Sequence, residues 1–103
     1  MRSLTLSATA ASIGLLLTGA ASGADINRGR IIADRWCVTC HAVEPQQRPV
    51  PGVPTFESIA RNGDLDAARL AYFLMDPHPN MPNMGLTRSE AADLAVYIKS
   101  FGK

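Results

Sequence analysis

The chain has 103 residues, 47% of them hydrophobic, and ten Lys plus Arg against nine Asp plus Glu for a formal charge of +1. That length holds one small domain, and so even a balance leaves no basic face for nucleic acid.

The first segment differs from the rest. Arg2 is the last charge before Asp25, and between them Ile13-Gly14-Leu15-Leu16-Leu17 forms an apolar core, followed by small residues from Gly19 to Ala24. This is the pattern of a secretory signal peptide. Ser22 and Ala24 suit the small-residue pockets of a signal peptidase, which predicts a leader over 1–24 and a mature domain over 25–103. Cleavage after Gly23 is the alternative. Ser, Thr and Gly dilute the run, and its strongly apolar part falls well short of the ~20 residues that span a bilayer. Left uncleaved, it would hold the protein at a membrane. Loss of Arg2 with the leader leaves nine basic against nine acidic side chains. A domain this small needs a disulfide, a metal, a cofactor or a partner to be stable.

Ile26 to Trp36 reads as a helix that Asp25 or Asn27 can cap. Gly29 inside it costs about 1 kcal/mol relative to Ala, which calls for a packing reason. Cys37-Val38-Thr39-Cys40-His41 follows, and it contains both cysteines. A disulfide between them would close a tiny loop and stabilise little. An exchanging dithiol would be expected in a strand and helix alternation, and no period-two strand precedes it. A structural zinc site would require a second ligand pair. C-x-x-C-H is instead the attachment signature of c-type haem: two thiols add to the vinyl groups of one porphyrin, and the next residue offers an imidazole to the iron. The expectation is one haem c, bonded through thioethers at Cys37 and Cys40, with His41 as an iron ligand.

Four prolines between Pro45 and Pro54 preclude regular structure there. Phe56 to Ala60 makes a short helical turn, ended by Asn62-Gly63. From Asp64 to Met75 a second helix places Leu65, Arg69, Leu70, Phe73 and Leu74 at helical spacing, with Met75 read as core, and Asp76-Pro77 stops it. The last helix, Thr87 to Phe101, opens on a capping box, Thr87-Arg88-Ser89-Glu90, with Leu86 as half of a hydrophobic staple. Leu94, Tyr97, Ile98 and Phe101 form its buried face. With no strand pattern, the fold class is all-α.

This order of features resembles the class I cytochrome c family over nearly the whole mature chain: a helix into C-x-x-C-H, a proline loop, a middle helix, a Met-Pro loop and a closing helix. The resemblance implies the cytochrome c fold, three main helices plus short turns around one covalently bound haem c, and an apoprotein that is largely unfolded. It implies a close helix crossing at Gly29 with Tyr97 against it. It also implies a loop-proline carbonyl, Pro54 or Pro51, that accepts the Nδ1 proton of His41. The Met81-Pro82 pair matches the family's Met-Pro loop and makes Met81 the sixth iron ligand, with Met84 and His78 as the other candidates. Trp36 either donates to a propionate or packs on the porphyrin, and Arg48 either neutralises a propionate or is solvated. The implied function is a monomeric periplasmic one-electron carrier, not an enzyme, docking transiently with a dehydrogenase donor and an oxidase or reductase acceptor. A permanent haem subunit of a dehydrogenase and a five-coordinate gas-binding or peroxidatic haem are the alternatives.

Overall fold

The structure, a computed structural model, describes residues 23–77 and 80–102 with a few isolated positions before them. Most of the expected leader, and His78 in the Met-Pro segment, lie outside the described residues. Four α-helices follow in order: α1 Ile26–Trp36, α2 Phe56–Ala60, α3 Ala67–Met75 and α4 Arg88–Lys99, closed by a 3-10 turn at Ser100–Gly102. There is no strand among the described residues, and the all-α expectation holds.

Each helix start is fixed by a side chain that satisfies otherwise unpaired N–H groups. Asp25 Oδ1 accepts from Asn27 N at 2.8 Å and Arg28 N at 3.2 Å, so Asp25, not Asn27, caps α1. Thr55 caps α2 through Ser58 N at 3.0 Å. At α4 the box closes both ways: Thr87 Oγ1 accepts from Glu90 N at 3.1 Å, and Glu90 Oε1 accepts from Thr87 N at 3.0 Å. These bonds favour the carboxylate and hold Glu90 below the usual range.

The middle helix is shorter than its pattern. Asp66 accepts from Arg69 N at 2.8 Å and starts α3 at Ala67, three residues after the expected Asp64. Asn62–Leu65 makes a separate turn, in which Leu65 N donates to Asn62 O at 3.2 Å. Arg69 leaves the apolar stripe, its guanidinium donating to the Asp64 carbonyl at 3.2 Å. Met75 also departs from expectation: it is 41% exposed, not core. Leu70 and Leu74, one helical turn apart, take the buried face, and the next residue is rotated from it by about 100°.

The centre of the fold is the crossing of α1 and α4. A Cβ at Gly29 would strike the Asp93 carbonyl oxygen and come within 2.6 Å of Tyr97 Cβ, so only glycine permits the approach. Tyr97 is the aromatic laid against it, as expected, and its hydroxyl donates to the Val43 carbonyl at 3.2 Å. Leu94, Ile98 and Val43 are the largest fully buried side chains. Lys99 Nζ reaches back to donate to the Ala60 carbonyl at 2.8 Å, tying the end of α2 to α4.

Candidate haem site

The C-terminal end of α1 delivers the thiols and the imidazole. Cys37 N and Val38 N both donate to the Ala33 carbonyl, at 2.9 and 3.1 Å, and the Cys37 carbonyl then accepts from Cys40 N at 3.1 Å and His41 N at 2.9 Å. The chain thus turns once more beyond α1, and positions i, i+3 and i+4 of that turn are Cys37, Cys40 and His41. No disulfide joins the two cysteines; Cys37 is buried and Cys40 exposed. Burial pushes the Cys37 thiol up to about 11. That disfavours the thiolate and the dithiol exchange that depends on it.

His41 is held from its other side. Its Nδ1 lies 2.6 Å from the Pro54 carbonyl oxygen, and a carbonyl can only accept, so the proton sits on Nδ1 and Nε2 keeps a free lone pair. Of the two prolines considered for this bond, Pro54 makes it. The loop is fastened by Phe56 N donating to the Ala42 carbonyl at 3.0 Å and Val43 N donating to Gln47 Oε1 at 2.8 Å. A run of rings leads from the site into the core: His41 to Phe56 at 5.7 Å, Phe56 to Tyr97 at 6.2 Å, and Tyr97 to Phe101 at 5.1 Å between centroids.

Two neighbouring cavities open beside this turn. The larger, about 400 Å³, is walled by Phe56, Ile59, Leu65, Leu70, Phe73, Leu74 and Ile98. The smaller, about 220 Å³, is bounded by Trp36, Cys40, Gly52, Val53, Asn80, Pro82 and Met84. Cys37, His41, Pro54 and Met81 border both, whereas Met84 borders only the smaller. Arg48 is exposed and lines neither. Sequence reasoning missed Ser58 and Asn62, two polar groups in the wall of the larger cavity. Asn62 read only as a helix stop, and nothing in its neighbours marks it as facing a site.

Over 84 residues the chain is 45% identical to cytochrome c-552 of Bradyrhizobium diazoefficiens, and the alignment covers 81% of each chain. The chain belongs to the class I c-type cytochromes. No protein-family model and no solved structure matches it. As a c-type cytochrome it is an electron-transfer protein, not an enzyme, and its prosthetic group is covalently bound haem c. The residues present fit that group. The larger cavity lies within the ~300–1,000 Å³ typical of cofactor sites, the smaller adjoins it, the walls of both are mostly apolar, and a thiol, an imidazole and a thioether meet along their shared border. No helix among the described residues is long and apolar enough to cross a membrane.

Proposed function

We propose that this cytochrome is a periplasmic mono-haem carrier in which Cys37 and Cys40 would form the thioether bonds and His41 Nε2 and Met81 Sδ would hold the iron. The leader over 1–24 exports the chain and is cleaved. One observation carries the ligand assignment: Met81 borders both cavities together with Cys37 and His41, and Met84 does not.

Haem iron supplies a reversible one-electron couple. The rest of the chemistry belongs to the chain. The Pro54 carbonyl fixes the His41 tautomer and orients the ring. A thioether at Met81 favours the ferrous state and raises the potential relative to a second imidazole. The apolar walls from α2, α3 and α4 exclude water and lower the local dielectric, which also favours the less charged, reduced state. Partners are redox proteins, a dehydrogenase donor and an oxidase or reductase acceptor, met through small transient interfaces.

The test is optical spectroscopy of the oxidised protein beside Met81→Ala and Met84→Ala. The sulfur-to-iron charge-transfer band should persist in Met84→Ala and vanish in Met81→Ala. The opposite pattern assigns the ligand to Met84. A second reading, a haem subunit held permanently by a larger oxidoreductase, is favoured by the exposed Tyr72 and Met75 of α3; copurification with a larger chain at stoichiometric yield would support it over the free carrier.

A further inference from the structure

Electron transfer does not account for one buried charged side chain of the fold. Asp93 on α4 is the one charged residue among the described ones that is buried, at 5% exposure. It stands where α4 crosses α1, and its backbone carbonyl is the atom that excludes a side chain at Gly29. Its Oδ1 accepts a hydrogen bond of 2.7 Å from the backbone nitrogen of Asp25. Among the described residues no side-chain cation pairs with this carboxylate: Arg28 of α1 and Arg88 of α4 line the adjoining cleft with Gly23 and Ala24. Arg28 lies 4.0 Å from the Asp25 carboxylate instead. A buried carboxylate held by a neutral amide would be held more strongly by a cation at that same place, because a hydrogen bond from a charged donor is the stronger one.

We infer that the α-ammonium released on Asp25 by cleavage of the Ala24–Asp25 bond is the counter-ion of Asp93. The inference rests on the export reading proposed above. In the hydrolysis the bond between the Ala24 carbonyl carbon and the Asp25 nitrogen breaks. The oxygen of water goes to Ala24, which leaves as a carboxylate, and both protons of water end on the Asp25 nitrogen as an ammonium. That nitrogen already sits within hydrogen-bond reach of Oδ1, so the new charge forms in place. Cleavage one bond earlier would leave a neutral amide facing Asp93 and carry the charge about 3.8 Å along the chain. The ammonium stands at the N-terminus of α1, where the helix dipole disfavours a cation. The Asp93 carboxylate, 2.7 Å from that nitrogen, is the charge that favours it there, while Arg28 and Arg88 in the cleft work against it. Processing would therefore do more than remove the leader: it would complete the α1 to α4 contact.

An anionic neighbour raises the pKa of an amine above its ordinary value of about 7.7–8.0. The pair contributes its stability in full below that value and loses it as pH rises through the higher, folded value. The experiment uses the exported, haem-bearing protein. Intact mass should place its first residue at Asp25. Acylation of the α-amino group at pH 7, followed by peptide mass spectrometry, should be on the order of tenfold slower in wild type than in Asp93→Asn. It should also be slower by a similar factor than in the same wild-type protein under denaturant, a comparison that does not depend on the variant folding. A haem-bearing protein that begins at Ala24 or Gly23, or an α-amine equally reactive folded and unfolded, overturns the inference and leaves the carrier intact. A chain that keeps residues 1–24 and lacks covalent haem overturns the export reading, and the inference with it.

Discussion

Tyr97 shows how one residue serves the crossing of the helices and the loop beside the haem at once. Its Cβ closes on Gly29, and its hydroxyl fastens Val43. Burial, with Glu44 and Asp34 adding negative charge, raises its pKa. The unfolded chain therefore ionises first, so the folded state keeps this contribution below pH ~10 and loses it as pH climbs further. Tyr97→Phe should cost about 0.5–1.5 kcal/mol at neutral pH through the lost hydrogen bond. It should also flatten the decline of stability in alkali, measured by denaturant unfolding at several pH values; an unchanged alkaline slope would remove Tyr97 as its cause. Cys37, Cys40 and His41 stood out as candidates in five letters because of their spacing, and the structure brings them onto one turn. Pro54 was legible only as one of two prolines, since which carbonyl meets a ring depends on the path of the loop. Asp93 was invisible: nothing in the sequence distinguishes a buried aspartate in the middle of a helix from a solvated one.

Among the helices, caps and crossings decide where elements begin and how closely they pack. Gly29→Ala gains about 1 kcal/mol of helix propensity but drives a methyl into the backbone of α4. Overpacking of that kind costs about 1–3 kcal/mol, and more where the obstacle is main chain, so a net loss of roughly 1–2 kcal/mol is expected in thermal or denaturant unfolding. Thr87→Ala should cost about 1 kcal/mol through loss of the cap. The capping box of α4 was plain in the sequence because its residues lie three apart in one short segment. The start of α3 was not, because Asp64 and Asp66 are both competent caps and only packing selects Asp66. Met75 failed as core for the same reason. An apolar residue at a helix end carries no mark of which side the neighbouring helix lies on.

At the level of the whole molecule the prosthetic group stands in for a core. Phe56, Leu70, Leu74 and Ile98 pack together in one core and also wall the larger cavity, so the haem-free chain lacks the burial that the group adds on that face. A Cys37→Ser/Cys40→Ser double variant, which cannot form thioethers, should lose most of its helical circular dichroism; native-like helicity without haem would contradict this. With nine basic and nine acidic side chains over residues 25–103 and two haem propionates beside them, long-range steering is weak. Electron-transfer rates with redox partners should fall only mildly, less than about tenfold, between low and physiological ionic strength. The central claim, a one-electron couple set by His41 and Met81, is tested most directly by an equilibrium redox titration of the purified protein beside Met81→His. A single one-electron transition is predicted in both, with the potential of the variant lower by on the order of 0.1 V, within the ~0.8 V range that axial ligands command. An unchanged potential in Met81→His would contradict it.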